Sequence, residues 1–367
     1  MKEEKHTCDI CHEERDLSEL TYFDESYLCE DCLRRETFIC RDCGDRHWND
    51  DSADGDLCQT CYDEDYVRCE RCDAVIHYDD ACYHEDEEYH DHPYCRDCFD
   101  MDEIIHDYYY KPEPIFYGDG PRYLGVELEL DDGGENEFCA SKLLEIANNG
   151  CERMYIKHDG SLDDGFECVT HPMTLDYHIN QMPWRAILNK AVAKGYLSHQ
   201  AGTCGLHVHI SRNALGVNYE EQEATIAKIL YFYEKFWNEI LTFSRRTESQ
   251  AEHWARRYGG GIINPKETLK HAKNSHMGRY AAVNLENEAT IEMRIFRGTL
   301  KYNTFIATLQ MVDEICKVAI SLSDEFMQGL TWLDFVKGIA DGKQELINYL
   351  KEKRLYVNEP IRNEVEI

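Results

Sequence analysis

Three short segments between residues 122 and 300 alternate apolar and ionisable side chains, as strands with one buried face do. They read GVELEL at 125–130, GLHVHI at 205–210 and IEMRIF at 291–296. Because successive side chains of a strand point to opposite faces, each segment is predicted to separate an apolar stripe from two ionisable groups. The ionisable pairs are Glu127 and Glu129, His207 and His209, and Glu292 and Arg294. A sheet that buries one face and gathers these groups on the other is predicted to form a metal cradle.

The remaining periodicities predict the elements around these strands. Pro183 is predicted to kink a helix near 176–194, since proline removes a hydrogen bond from a helix interior. The order of elements predicts an α+β fold, in which long helices pack on one side of a largely antiparallel sheet. Further helices are predicted near 138–148, 219–243, 302–322 and 331–353, and strands at 122–130, 153–158, 165–171, 205–211, 279–285 and 290–297.

The organisation into domains follows from composition. Three prolines and a Gly-Asp-Gly sequence within 108–121 are typical of a linker. A chain of 367 residues is long enough for two or three domains. The predicted parts are a cysteine-rich region at 1–107, the linker at 108–121, an α+β catalytic domain at 122–325 and a C-terminal helical extension at 326–367.

The cysteine-rich region is a repeat of three units, each with two CxxC pairs that enclose 14 to 22 residues. One CxxC turn aims two thiolates at an ion and a second turn completes a tetrahedral Zn(Cys)4 site, so about three structural zinc ions are predicted. A hairpin is predicted between the pairs and a short helix after each second pair, which resembles tandem treble-clef zinc fingers of the ribbon or LIM-like kind. The predicted ligands are Cys8, Cys11, Cys29, Cys32, Cys40, Cys43, Cys58, Cys61, Cys69, Cys72, Cys95 and Cys98.

Two features of this repeat leave alternatives open. Ligation within each unit is preferred over an interleaved, RING-like arrangement, because the spacing repeats unit by unit. The third unit also contains Cys82 and a histidine-rich loop, one of whose members could replace a cysteine ligand, although surface positions are preferred for them. The loop histidines are His77, His84, His90 and His92.

The charge and the placement of cysteines narrow the classes of function. A formal net charge of −33 argues against nucleic acid or an anionic membrane surface as the main partner. Five cysteines outside the repeat are scattered singly, as buried thiols in a reducing compartment are. The sequence has no secretory signal pattern and no uncharged run near the ~20 residues of a membrane helix, so a cytoplasmic protein is predicted. The acidic fingers favour a protein or peptide partner.

Each strand motif alone has an ordinary explanation, such as a solvated strand face or an ion pair. Their common order and orientation within one domain favour a site. Glu127, Glu129, Glu167 and one or both histidines are predicted to bind Mg²⁺ or Mn²⁺, and arginines are predicted to bind phosphate oxygens. The arginines are Arg279, Arg294 and a cluster of Arg245, Arg246, Arg256 and Arg257. A zinc hydrolase is the main alternative, because His-x-His also binds zinc.

These segments together resemble the amidoligase family. The resemblance covers about 122–323 and rests on GVELEL, DGSL with a following Glu, GLHVHI, and RYAAVNL leading into IEMRIFRGTL. Members are ATP-dependent carboxylate–amine ligases with the fold of glutamine synthetase and glutamate–cysteine ligase, and many are encoded by bacteriophages. For such a member, the cytoplasm would be that of an infected host cell.

The resemblance also implies roles for residues. It implies that Glu127 and Glu129 form the metal-binding strand, and that Asp159 and Glu167 are acidic positions of the next hairpin. It further implies a site histidine at His207 or His209, metal and phosphate contacts at Glu292 and Arg294, and a neighbouring strand with Arg279 and Asn284. The implied reaction consumes ATP with Mg²⁺ and joins a carboxylate to an amine through an acyl phosphate. Two other hypotheses are a zinc-finger adaptor with a degenerate ligase fold and a metal-dependent hydrolase.

Overall fold

The structure is a computed structural model that describes residues 5–83, 92–99, 103–259, 264–275 and 277–357. It divides into two compact units, 1–102 and 103–367. The first unit contains the cysteine repeat and the second contains the predicted catalytic sheet.

The first unit repeats a pattern of short hairpins followed by a helix. Each helix carries the last cysteine of its repeat, because the second CxxC begins at the helix N-terminus. The short helix predicted after the second pair of the first unit therefore starts earlier, within that pair, at Glu30. Its described elements are β1 (Lys5–Thr7), β2 (Glu14–Asp16), β3 (Leu20–Phe23), β4 (Ser26–Cys29), α1 (Glu30–Glu36), β5 (Thr37–Ile39), β6 (Arg46–Trp48), β7 (Ser52–Asp54), β8 (Leu57–Cys58), α2 (Gln59–Asp65), β9 (Tyr66–Arg68), β10 (Val75–His77) and α3 (Arg96–Phe99).

The cores of these repeats are very small. In the first, the fully buried apolar residues are Leu28 and three of the cysteines, with a few half-buried side chains around them. The second is built the same way around Leu57. Cores of this size do not stabilise a fold of about 30 residues without a metal or a disulfide.

The second unit contains a mixed sheet with seven described strands in the order β11-β13-β14-β12-β15-β17-β16. Among these strands β11 and β13 are parallel and the other neighbouring pairs are antiparallel. The predicted α+β class is confirmed, with a parallel edge pair in addition to the antiparallel pairs. The strands are β11 (Ile105–His106), β12 (Leu124–Leu130), β13 (Met154–Lys157), β14 (Phe166–Thr170), β15 (Leu206–Ser211), β16 (Val283–Asn284) and β17 (Thr290–Met293).

The helices of this unit differ from the predicted ones where the backbone is interrupted. The helix predicted near 176–194 is two helices, since Pro183 begins a new helix instead of kinking one. The helix predicted at 219–243 breaks at Phe236, and the one predicted at 331–353 breaks around Gly338 and Gly342. The described helices are α4 (Glu137–Asn148), α5 (Leu175–Asn180), α6 (Trp184–Ala193), α7 (Tyr219–Lys235), α8 (Trp237–Ser244), α9 (Glu248–Trp254), α10 (Pro265–Asn274), α11 (Tyr302–Ser321), α12 (Asp324–Gly329), α13 (Trp332–Lys337) and α14 (Gln344–Glu352).

One face of the sheet forms the hydrophobic core of the second unit. The apolar positions of the alternating strands are fully buried against the helices, and α11 is buried along most of its length. Burying this much apolar surface is the main stabilising contribution to the fold. The sheet residues in this core are Val126, Leu128, Leu130, Val208, Ile210, Ile291 and Met293.

The segment predicted as a linker is part of this unit. The N–H of Tyr117 donates to the carbonyl of Pro172 at 3.0 Å, and the N–H of Thr174 donates to the carbonyl of Tyr117 at 3.0 Å. Tyr117 packs against the core, as Ile104 and Ile105 do just upstream. Tyr117 and its hydrogen bonds therefore hold the later part of this stretch against the second unit despite its prolines.

The predicted C-terminal extension also joins the core. Leu346, Tyr349 and Leu350 of α14 are buried in the same cluster as α11. Residues 358–367 of the predicted extension lie outside the described residues. Among the described helices, none is long and apolar enough to cross a membrane.

Candidate functional site

The sheet register brings the predicted ionisable side chains together. Glu127 on β12 is paired with His207 on β15, and Glu129 is paired with Glu167 on β14. His209 on β15 is paired with Glu292 on β17. Directly paired residues on antiparallel strands have Cβ atoms about 5 Å apart, so four neighbouring strands contribute to one cluster.

His207 lies between three of the carboxylates. Its Nδ1 is 3.3 Å from Glu127 Oε2 and 3.6 Å from Glu292 Oε1. Its Nε2 is 3.6 Å from Glu129 Oε1. His209 forms an ion pair with one described carboxylate of the cluster, that of Glu127, and its Nε2 lies 3.1 Å from Glu127 Oε1.

Two sets of these donors are close enough to hold cations. In each set the potential ligand atoms lie within 4.8 Å of one another. The first set consists of Glu127, His207 and Glu292, and the second consists of Glu129, Glu167 and His207. The sets share His207, so they define two adjacent positions. Mostly carboxylate donors with one imidazole suit Mg²⁺ or Mn²⁺, and they also suit zinc.

The carboxylates of this cluster repel one another in a buried environment. Burial, and then the charge of Glu127, raise the pKa of Glu167 well above its usual range. Burial also raises the pKa of Glu129. For Glu127, burial acts in the same direction, but the neighbouring His209 and His207 outweigh it and hold the pKa well below the usual range. A bound cation would relieve this excess of negative charge.

Hydrogen bonds from neighbouring groups orient the acidic side chains. Asn284 Nδ2 donates to Glu292 Oε2 at 2.8 Å, and the Arg294 guanidinium donates to Glu292 Oε1. The N–H of Gly205 donates to Glu129 Oε2. A Cβ on Gly205 would lie 2.3 Å from His207 Nε2, so a glycine is required for the imidazole to occupy its place.

Lys157 is a member of this cluster that the sequence reasoning missed. It is paired with Glu167 in the sheet register, and its Nζ lies 3.0 Å from Glu167 Oε2. The signal was present, because the predicted strand at 153–158 alternates apolar and polar positions in the same way as β12. Tyr108 covers this lysine, with its ring centre 5.5 Å from Nζ.

Other predicted residues lie outside the two donor sets. Asp159 accepts a hydrogen bond from the N–H of Ser161 at 2.8 Å, as the first residue of a turn does. Arg279 is exposed and donates to the hydroxyls of Tyr108 and Tyr280. Arg245 donates to the carbonyl of Arg297 and belongs to a separate basic group.

Two arginines of the predicted phosphate cluster have structural partners instead. Arg257 forms an ion pair with the buried Glu234 at 2.9 Å, and Arg256 lies 3.6 Å from Glu252 on the protein surface. In contrast, Arg246 is only 6% exposed and donates to the carbonyl of Ile295 at 3.1 Å.

The cysteines of the first unit form three groups of four in the described residues, each from consecutive pairs. The first group is Cys8, Cys11, Cys29 and Cys32, and the other two follow the same order, so the grouping is sequential and not interleaved. Burial raises the pKa of Cys8, but backbone N–H donors lower it to about 6 overall. Thiolate character of this kind is what a zinc ion requires.

The additional donors near the third group lie apart from it. Cys82 pairs through its backbone with Tyr94, and its sulfur is not a member of any of the described cysteine groups. His77 accepts a hydrogen bond from the N–H of Asp79 at 3.2 Å, and His92 lies 3.8 Å from Glu70. His84 and His90 fall outside the described residues.

Comparison with known proteins bears on the second unit. Residues 147–316 match a family model described as "Putative amidoligase enzyme", which confirms the resemblance inferred from the sequence motifs. The match is somewhat under half of the chain, and it includes the β15 and β17 motifs but not β12. No curated protein matches the chain in sequence.

Among solved structures, the chain is similar to a bifunctional glutathione synthetase from Pasteurella multocida. The TM-score is 0.32 and the sequence identity is 13%, over 65% of this chain and 45% of that one. The chain thus spans less than half the length of that protein. A similarity of this size does not define a shared fold, and a glutamine synthetase-like fold stays a prediction.

Proposed function

We propose that the second unit is an ATP-dependent carboxylate–amine ligase. The observation that carries this proposal is the cluster of four glutamates on three strands, β12, β14 and β17, gathered around His207 of β15 and flanked by Arg294. The match of residues 147–316 to the amidoligase family supports the same chemistry. A ligase that activates a carboxylate with ATP needs such a site, because the phosphates must be neutralised and held in line.

The position of each side chain in the cluster determines its proposed role. Glu127 and Glu292 would hold one Mg²⁺ and Glu129 and Glu167 the other, with His207 between them. Ions held there would neutralise the phosphate charge of ATP. Arg294, fixed by Glu292 on one side, would direct its remaining N–H groups to the transferred phosphoryl group.

The proposed reaction has two steps. An oxygen of the substrate carboxylate bonds to the γ-phosphorus as the bond to ADP breaks, which gives an acyl phosphate. The amine nitrogen then bonds to the acyl carbon, phosphate leaves, and one proton is released. The protein contributes positioning and fixed charge to both steps, with no covalent bond to its own residues.

Hydroxylamine provides a test that does not require the natural amine. The full-length protein is incubated with Mg²⁺, ATP, hydroxylamine and pools of small carboxylates, and hydroxamate and ADP are measured. The proposal predicts equal amounts of both products for at least one carboxylate class. ATP-independent cleavage of an amide by the metal-loaded protein would support the hydrolase instead.

The two histidines are expected to differ in this assay. Since His207 contacts three carboxylates and His209 contacts one, His207→Asn should reduce ADP release about a hundredfold and His209→Asn about tenfold. Titration with Mg²⁺ separates lost metal affinity from lost turnover. A larger loss in the His209 variant would reverse this assignment.

We further propose that the first unit, with its three zinc ions, binds a protein or peptide substrate and presents it to the second unit. Deleting residues 1–102 retains β11 and should leave hydroxamate formation with a small carboxylate unchanged. On the natural substrate the deletion should raise KM about a hundredfold, because a tethered binding module raises the local concentration of its ligand. Unchanged KM and kcat on that substrate would contradict this role.

A further inference from the structure

A group of basic side chains in the second unit has no ion-paired carboxylate among the described residues. Its members come from four separated parts of the chain: the loop after α6, the residues after α8, the segment that follows β17 and the end of α14. None of its members forms an ion pair with a carboxylate among the residues that the structure describes. The members, called here the basic group, are His199, Arg245, Arg246, Arg297 and Lys353.

Two members of the basic group, Arg245 and Arg297, are in direct contact. The guanidinium of Arg245 donates to the backbone carbonyl of Arg297 and reaches the hydroxyl of Tyr349 at 3.4 Å. Arg245 has a φ of +67°, a left-handed conformation that is unfavourable for a residue with a side chain. The fold therefore holds this arginine in place at some cost in backbone strain.

The basic group also contains hydrogen-bond donors that find no acceptor among the described residues. Arg245 Nε and Arg297 Nε are screened from water and make no hydrogen bond, and the ring nitrogen Nδ1 of His199 has no partner among these residues either. The same is true of Nη1 of Arg246, a side chain that is only 6% exposed. Each buried donor without an acceptor destabilises the folded protein, because it has lost its hydrogen bonds to water. Such a concentration of unused donors indicates an acceptor that the described residues do not supply.

Electrostatics agrees with this geometry. Burial, and then the nearby charges of Arg297, Arg245 and Lys353, lower the pKa of His199. Burial also lowers the pKa of Arg246 to about 10. The charge of Glu129 raises this pKa, and the charges of the neighbouring arginines lower it further. Arg246 is thus within electrostatic reach of both the basic group and the carboxylate cluster. Like charges packed this closely are stabilised when an anion lies among them.

We propose that the basic group is an oxyanion-binding site, which receives a phosphate or carboxylate group beside the metal cradle. Arg245 and Arg297 are half-buried and so remain accessible to a ligand. Planar guanidinium groups match the two oxygens of such an anion. The inference rests on the proposed ligase function only for the source of the oxyanion. That source is either a phosphate of ATP or a second acidic group on the ligase substrate.

Calorimetric titration of inorganic phosphate and of glutarate into the full-length protein, without Mg²⁺ or nucleotide, tests the site. Saturable binding is expected for at least one probe. Arg297→Gln and Arg245→Gln should weaken it about tenfold or more, which corresponds to the loss of one charge-assisted hydrogen bond. Arg256→Gln is the matched control, because Arg256 is exposed and lies 3.6 Å from Glu252 outside the basic group.

The charge-preserving variant Arg297→Lys distinguishes the loss of a binding contact from a folding defect. It should bind the probe with an affinity between those of the unaltered protein and Arg297→Gln. Absence of saturable binding for both probes would overturn the proposal, as would equal affinities in Arg297→Gln and Arg256→Gln. Competition by ATP with Mg²⁺ would identify a nucleotide phosphate as the ligand, and simultaneous binding would identify an acidic substrate. Since the first titration contains no nucleotide, failure of the ligase assay does not affect its result.

Discussion

Replacing Glu127 or Glu129 by Gln is expected to abolish ATP-dependent turnover, with a loss of about a thousandfold or more in kcat. Each side chain belongs to one of the two donor sets around His207. Glutamine has nearly the same shape, but its neutral amide cannot neutralise a divalent cation, so the metal and the phosphates would lose their fixed position.

The fold should survive both substitutions. The Glu129 carboxylate accepts a hydrogen bond from the N–H of Gly205, and an amide oxygen can accept the same bond. Burial raises the pKa of Glu129, so removing its negative charge relieves an unfavourable interaction. At Glu127 the same change removes an ion pair with His209 Nε2 at 3.1 Å. Thermal unfolding followed by circular dichroism should therefore show an unchanged or higher Tm for Glu129→Gln, and a somewhat lower Tm with a cooperative transition for Glu127→Gln.

Glu135→Gln is a suitable control for this prediction. Glu135 is an exposed carboxylate, 2.9 Å from the imidazole of His158, and it lies outside the donor sets among the described residues. The control should retain full activity in the hydroxamate assay. Near-normal turnover in both Glu127→Gln and Glu129→Gln would exclude the proposed site.

Removal of zinc should unfold the first unit while the second unit stays folded. The repeats bury little besides their own cysteines, whereas the second unit has an extended apolar core. A structural zinc site of this kind contributes about 10 kcal/mol or more to folding. Without the metal, the remaining core cannot offset the conformational entropy of the chain.

Hydrogen exchange measured by mass spectrometry during titration with a chelator checks this prediction. Protection should disappear from peptides in 5–83 and 92–99 and persist in β12, β15 and α11. Elemental analysis should give about three zinc ions per chain, one for each group of four thiolates. Cys82→Ser should leave the metal content unchanged, and Cys32→Ser should lower it. Full protection of the first unit in the metal-free protein would show that zinc does not hold these repeats together.

The polar face of the sheet could be predicted from the sequence because strand alternation is a local property. The apolar stripe of β12 and the opposite placement of Glu127 and Glu129 follow from residue order alone. The register that places Glu127 beside His207 could not be derived this way, since it depends on pairing between residues 80 positions apart. The same limit hid Lys157, whose partner Glu167 lies on the next strand of the sheet.

The basic group shows most clearly that contacts between distant parts of the chain cannot be derived from the sequence. His199 and Lys353 are far apart in sequence and belong to no motif. The charge of Lys353 reaches His199 because α14 packs against α11 and Tyr349 bonds to the end of α8. The linker at 108–121 stays a prediction, but its prolines and glycines did not indicate one contact that the structure shows. Tyr117 is held by hydrogen bonds to the residues that follow β14.

Calorimetric titration of ATP into the full-length protein, with and without Mg²⁺, tests the central claim most directly. The proposed site predicts binding that requires Mg²⁺, that is lost in Glu127→Gln and that is retained in Glu135→Gln. Absence of nucleotide binding under these conditions, or equal affinities in Glu127→Gln and Glu135→Gln, would contradict it.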